Sequence, residues 1–261
     1  MIEISISPGT IESRSDKPGT MVPHDLVGIV LAGGMGTRLQ SVAAGVPKPF
    51  IHCAGRPFIS WVIDASRRAG VPRFVVSLGH LHEVAERELA AICQAGYDVK
   101  AVVEPAPLGT AGAIRFAWET CRESPVFVQN GDSLLFADLS PVWQRWARGD
   151  LDALLVGTSQ NDAARYGTLR FDDDGLLCGF EEKRPGRGVI NAGIYLLRPA
   201  LLAAFPDKSP LSLELDVWPR WLLEKRRIGV VVLDGPFLDI GLPESLAQAG
   251  EFIEANSLGQ A

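Results

Sequence analysis

The sequence is short of cysteine, of histidine and of long apolar runs, and each shortage removes a class of protein. Its four cysteines, Cys53, Cys93, Cys121 and Cys178, stand far apart with no CxxC pair, which argues against a disulfide framework and against a thiolate metal site. No signal-peptide pattern precedes them, so a reduced, cytoplasmic protein is expected. The four histidines offer one metal-like spacing, His80-Leu81-His82. With no third ligand nearby in sequence, it reads as a solvated loop. No stretch approaches the roughly 18 consecutive apolar residues of a membrane span, so no membrane insertion is expected. Positive charge is not in excess either. Twenty-five Lys and Arg against 31 Asp and Glu leave a net charge of −6, which disfavours nucleic acid or an anionic membrane as partner. The GxxxxGK[ST] phosphate loop is absent, and Gly34-Met-Gly36 fails the dinucleotide fingerprint because Leu39 occupies the third small position.

What is present is an alternation of two hydrophobic periods. Apolar runs at Val27 to Leu31, Phe74 to Leu78, Val99 to Val103 and Val126 to Val128 read as buried strands. Between them, Phe58 to Ala69 and Leu81 to Ala95 carry helical stripes that stop at Gly70 and Gly96, and a third helix runs to about Cys121. Such alternation implies right-handed crossovers and a mostly parallel, twisted sheet flanked by helices. With 261 residues and 47% hydrophobic residues, a single α/β domain over 26–256 is expected. Residues 1–25, rich in Ser, Thr, Pro and Gly, read as a disordered extension. Beyond Asp132 the pattern changes. Ser140-Pro141 starts a helix as N-cap and N1, and strands follow near Ala153 to Val156, Thr168 to Phe171, Leu176 to Glu182 and Val189 to Leu197. Asp172-Asp173-Asp174-Gly175 is a solvated turn between two of them. Pro219 breaks the helical pattern of Leu213 to Lys225, and Pro243 opens a last helix to about Ala255. The chain thus divides into a half over 26–149 and a strand-rich half over 150–256 that covers the sheet's edge.

The richest stretch is LAGGMGTRLQSVAAGVPKP, Leu31 to Pro49. Gly33, Gly34 and Gly36 let consecutive backbone N–H groups approach an anion, Arg38 offers a forked donor, and Lys48 sits between two prolines that stiffen its backbone. A glycine turn with two placed cations suits a polyphosphate. An ordinary strand-to-helix turn with a surface Arg is the plainer alternative. Asp132, ending Asn130-Gly131-Asp132, and Asp239, in Asp239-Ile-Gly, both follow strands, where open α/β sheets bind ligands.

LAGGMGTRL followed by PKP resembles the signature of sugar-1-phosphate nucleotidyltransferases, which join a nucleoside triphosphate to a sugar 1-phosphate. The likeness extends through EPAPLGTAGAI, RYGTL, EEK, INAGIY and DIGLPESL to Ala249. It implies a Rossmann-like three-layer fold, a nucleotide site from Leu31, Ala32, Gly33, Gly34, Gly36, Thr37 and Arg38 with Glu104, Gly109 and Thr110, and a sugar-phosphate site from Lys48, Gly167, Glu182, Lys183 and Asn191. Asp132 and Asp239 would hold Mg²⁺, and Arg38 and Lys48 would share the catalytic load with them. Without the resemblance, Glu182-Lys183 is as well read as a surface pair and Asn191 as part of an edge strand. The later strings are most similar to D-glycero-D-manno-heptose 1-phosphate guanylyltransferases, with mannose 1-phosphate guanylyltransferases and N-acetylmuramate 1-phosphate uridylyltransferases as competitors. His52-Cys53 and Arg56 depart from the usual residues after PKP. A homo-oligomer and a role in lipopolysaccharide or capsule synthesis are compatible with the likeness. Glu104 points to GTP, because an ionised carboxylate only accepts and guanine offers two adjacent donors, whereas uracil and thymine offer one N–H flanked by carbonyls. A non-catalytic nucleotide or sugar-phosphate sensor and a Rossmann oxidoreductase are the readings from other classes. The paired aspartates disfavour the first and the failed fingerprint the second.

Overall fold

The computed structural model describes residues 3–4, 22–34, 36, 39, 45–122, 124–181 and 185–257. In chain order the elements are β1 (Glu3–Ile4), β2 (Val27–Ala32), β3 (His52–Cys53), β4 (Arg56–Pro57), α1 (Phe58–Arg68), β5 (Phe74–Leu78), α2 (His82–Gln94), β6 (Val99–Val103), α3 (Thr110–Trp118) and β7 (Val126–Asn130). Then come β8 (Ser133–Leu135), α4 (Ser140–Ala147), β9 (Ala153–Gln160), β10 (Thr168–Phe171), β11 (Leu177–Glu181), β12 (Gly188–Leu197) and α5 (Pro199–Ala203). A π-helical turn (Leu213–Val217), α6 (Trp218–Leu223), β13 (Ile228–Val232), β14 (Phe237–Asp239) and α7 (Pro243–Ser257) complete the chain.

Ten strands form one mixed sheet. Its centre is parallel: β6 beside β5, β5 beside β2, β2 beside β7. Antiparallel β12 continues it on one edge and pairs with β9 and β10, while Glu3–Ile4 add antiparallel to β6 on the other. Those two residues of the expected extension therefore form strand; most of the rest of 1–25 lies outside the described residues.

Strand alternation splits the core into two layers, one on each face of the sheet. Val30, Phe127, Leu154, Val156, Ile194 and Leu196 pack with α1, α2, α4 and α7. Val27, Ile29, Val128, Leu155, Tyr195 and Leu197 pack on the opposite face with α3, α5 and α6. The second layer is closed by aromatic contacts, Tyr195 to Trp218 at 5.6 Å, Trp218 to Trp221 at 5.3 Å and Phe205 to Trp221 at 5.4 Å between ring centroids. The expected α/β sandwich of helices on both faces is what forms.

Local signals shift by a residue or two. Ser140 is not the cap of α4 but its first residue. The cap position falls on Leu139, and Asp138 before it accepts from the Ser140 N–H at 2.9 Å and from its hydroxyl at 2.7 Å, satisfying one first-turn donor. Pro219 lacks the N–H an uninterrupted helix needs, and the chain meets it with the π-turn before α6. His82 begins α2 with Nδ1 3.1 Å from Glu86 Oε1, one turn on. Among the described residues no helix is long and apolar enough to cross a membrane.

Outside the large sheet, β8 and β14 pair as an antiparallel ribbon, with Phe237 opposite Leu135 and Asp239 opposite Ser133. Leu134 and Leu238, facing each other in its register, anchor the ribbon in the core. Leu134→Ala should lower the unfolding free energy by about 2–5 kcal/mol, the usual cost of emptying a buried leucine site, read as a lower midpoint in urea with an unchanged slope.

Candidate active site

The parallel centre brings its strand ends to one edge of the sheet, and residues at the ends of β2, β6 and β7 help form a cleft of about 620 Å³. Leu31, Ala32, Gly33, Gly34 and Gly36 line it from the end of β2, Glu104 from the end of β6, and Asn130 and Asp132 from the end of β7. Gly109 and Thr110 contribute the approach to α3, and Asp239 and Gly241 the end of β14. Register explains the convergence, since Ala32 pairs with Leu78, Leu78 with Val103 and Leu31 with Asn130. Parallel strands that start level also end level, so their exit loops meet.

Asp132 and Asp239, 107 positions apart by number, are made neighbours by the ribbon. The Ile240 N–H donates to the Asp132 carbonyl at 3.0 Å, extending the β8–β14 pairing by one rung. Two carboxylates so placed need a cation, and Lys48 supplies one. Its Nζ lies 2.5 Å from Asp132 Oδ2 and 3.7 Å from Asp239 Oδ1, with the side chain only 14% exposed. Lys48 starts a single 3-10 turn, Lys48–Phe50, anchored by buried Pro49 and Phe50, so the ammonium is delivered from a stiff support. Asp239 Oδ1 also accepts from the Gly241 N–H at 2.6 Å.

Glu104 occupies the other end. Ser77 donates to Oε1 at 2.9 Å and the Leu108 N–H to Oε2 at 3.2 Å. Burial pushes the carboxyl above the ordinary carboxylate range, and these two hydrogen bonds offset only part of the shift. Gly33 leaves room for this placement, because a Cβ at that position would stand 2.2 Å from Glu104 Oε1 and would displace the carboxylate. Each carboxylate oxygen keeps a lone pair for a ligand.

Among the described lining residues, three carboxylates face one ammonium. A polyphosphate entering that cleft needs further positive charge. The paired aspartates are hard oxygen donors of the kind that hold Mg²⁺ through one or two carboxylates, with phosphate oxygens and water completing the shell. The position of the Lys48 ammonium against both of them marks where a cation is favourable. The residues therefore fit a divalent metal, although no group of three or more potential protein ligands occurs among the described residues.

Of the other site residues named from the sequence, Thr37, Arg38, Glu182 and Lys183 lie outside the described residues. Gly167 and Asn191 do not line the cleft. Asn191 sits at a bulge of β12, where Nδ2 donates to the Tyr195 hydroxyl at 2.8 Å and Oδ1 accepts from the Gly193 N–H at 3.0 Å. Its polar atoms thus serve the bulge. Thr110 lines the cleft, but its hydroxyl is engaged by Leu213 and Glu214. Residues not singled out from the sequence join in: Asn130, Leu108 and Gly241 line the cleft. Tyr166 stands close enough to Asp239 and Asp132 that, after burial, their charges also raise its phenol above the ordinary range. Its position inside RYGTL was the signal available for it.

A family model for nucleotidyl transferases matches residues 27–256, and the chain belongs to the nucleotidyl transferase family, the enzyme class that LAGGMGTRL and PKP point to. It is 30% identical over 221 residues, 85% of this chain and 95% of the relative, to a D-glycero-alpha-D-manno-heptose 1-phosphate guanylyltransferase of Aneurinibacillus thermoaerophilus. The enzyme of that name from Campylobacter jejuni is 32% identical over 83% of this chain and 95% of its own. The crystal structure of HddC from Yersinia pseudotuberculosis complexed with GMP-PN aligns with TM-score 0.75 and 32% identity, covering 86% of this chain and 98% of that one.

The Glu104 environment has a pH signature. A carboxyl raised in the folded state favours folding below its unfolded value, and that contribution is lost as pH rises through the raised folded value. Glu104→Gln keeps the shape without the charge, since the amide oxygen still accepts from Leu108 and the Ser77 hydroxyl can accept from the amide. The variant should therefore match wild type in urea unfolding near pH 4 and exceed it at pH 7; equal differences at both would contradict the burial argument.

Proposed function

We propose that this protein transfers GMP from GTP to a sugar 1-phosphate, D-glycero-D-manno-heptose 1-phosphate, releasing pyrophosphate and forming a nucleotide-sugar. The observation that carries this reading is one cleft lined by a half-buried carboxylate, Glu104, and by a lysine-bridged pair of aspartates. Family membership and the guanylyltransferase relatives support it.

An oxygen of the sugar phosphate attacks the α-phosphorus of GTP, a bond to that phosphorus forms, and the bond from it to the bridging oxygen of the β-phosphate breaks. The electron pair leaves with pyrophosphate. Such a transfer needs alignment and charge neutralisation more than covalent help. The backbone of the glycine turn and Arg38 would hold the triphosphate, and Lys48 would bind phosphate oxygens at the junction of donor and acceptor. Asp132 and Asp239 would hold Mg²⁺, which supplies charge neutralisation of the phosphates when bound. Glu182, Lys183, Gly167 and Asn191 are proposed for the acceptor. Guanine's N1–H and exocyclic amine would meet the free lone pairs of Glu104, whereas a pyrimidine carbonyl set against the carboxylate leaves those acceptors unpaired at a cost of about 1–3 kcal/mol. On this reading 26–149 is the nucleotide half and 150–256 the acceptor half of one cytoplasmic enzyme serving cell-surface glycan synthesis.

Pyrophosphate release should require GTP, Mg²⁺ and a sugar 1-phosphate together. Comparing heptose, mannose, glucose and N-acetylmuramate 1-phosphates separates the acceptor readings, and no release with any of them would favour a sensor. Asp132→Asn and Asp239→Asn should each lower kcat by about 10²-fold or more, the scale of several kcal/mol of metal-borne charge stabilisation. Near wild-type turnover at saturating Mg²⁺ would exclude the metal assignment.

Base preference should also depend on pH. Protonated Glu104 loses acceptor capacity, so the GTP to UTP ratio of kcat/KM should fall as pH drops, starting above the ordinary carboxylate range because the group's value is raised. The ratio cancels titration of the triphosphate itself. A flat ratio, or a Glu104→Gln variant with the wild-type ratio, would remove Glu104 from base selection.

A further inference from the structure

The loop walling the base end of the cleft is held from across the fold. Between the end of β6 and the start of α3 the chain has no regular structure, yet it carries Glu104 and Leu108. The Leu211 N–H donates to the Leu108 carbonyl at 2.7 Å, and the Leu211 carbonyl accepts from the Ala111 and Gly112 N–H groups at 3.0 and 3.2 Å. Those are first-turn donors of α3, otherwise without helical partners; they face Leu211. Gly109 makes the approach possible, since a Cβ there would stand 2.5 Å from the Leu211 carbonyl oxygen.

A side-chain lock closes the same contact. The Leu213 N–H donates to Thr110 Oγ1 at 2.7 Å, and the Thr110 hydroxyl donates to Glu214 Oε2 at 2.9 Å. Ser212 donates to that same Glu214 oxygen at 3.2 Å. The Thr110 proton and one of its lone pairs are thus engaged away from the cleft it lines.

We propose that Thr110 and Glu214 are positioning residues for base selection, locking the 211–214 segment onto the loop so that Leu108 holds the Glu104 carboxylate in its base-reading place. The proposal rests on the guanylyl-transfer reading for the identity of the base. The link is short: Thr110 and Glu214 hold 211–214, Leu211 holds Leu108, and the Leu108 N–H holds Glu104 Oε2. Selectivity that depends on two adjacent hydrogen bonds needs its acceptor preset, because a carboxylate free to swing would meet either kind of base.

The test is steady-state kinetics of the full chain with GTP and UTP at saturating sugar 1-phosphate and Mg²⁺. Thr110→Val, which keeps the shape and removes the hydroxyl, should raise KM for GTP about tenfold, the scale of one net hydrogen bond. With kcat changed less than about twofold, the GTP to UTP ratio of kcat/KM falls accordingly. Glu214→Ala, on an exposed position, should move the ratio in the same direction and carries the test if Thr110→Val does not fold. Thr110→Ser and Glu214→Gln keep the donor and the acceptor and should restore the wild-type ratio. An unmoved ratio, losses equal for both nucleotides, or a Thr110→Ser as impaired as Thr110→Val would each overturn the proposal. The wild type reports separately. If it favours no base, the guanylyl reading falls and the proposed selectivity with it. A selective wild type with unmoved variants overturns the lock alone.

Discussion

Two aspartates held side by side on a two-stranded ribbon repel each other, and the ammonium of Lys48 between them is the contact on which the rest of the site depends. The ribbon fixes the carboxylates through backbone pairing, with Asp239 opposite Ser133 and Ile240 bonded back to Asp132. Lys48 comes from the opposite direction, at 2.5 Å from Asp132, carried by a turn whose Pro49 and Phe50 are buried. Neither support yields easily. The result is two carboxylates facing one ammonium, an arrangement that fits a further cation.

The opposite end of the cleft works by withholding solvent. Glu104 is partly buried with one protein donor on each oxygen, too few to replace its water. A ligand that brings two more donors relieves that deficit, and one that brings a carbonyl deepens it. An under-satisfied acceptor of this kind is already in place before any ligand arrives. Gly33 lets the carboxylate lie against the glycine turn, so Glu104 and that turn are in contact.

Much of this was legible in the primary structure. The strand and helix alternation from Val27 to Val128 depends on local hydrophobic period, and the observed β2, β5, β6 and β7 fall where the apolar runs lie. The glycine turn, Lys48, Glu104, Asp132 and Asp239 each stand beside an element end, which is why they could be named before any contact was known. The protein partners of Asn191 and Thr110 were not legible, because string position does not tell a side chain that meets its own bulge, as Asn191 does, from one that meets a neighbouring loop, as Thr110 does with Glu214.

By itself the sequence determined the α/β class and the cast of charged groups, because periodicity and side-chain identity are local properties of a chain. Only the tertiary structure decided which of those groups meet. The β8–β14 pairing has no sequence period to announce it, being three residues on each strand separated by about a hundred positions. The hold of Leu211 on Leu108 and α3 is made by backbone atoms that every residue possesses. Contacts of that kind carry no side-chain signature, so they arise from how the two halves of the chain pack against one sheet.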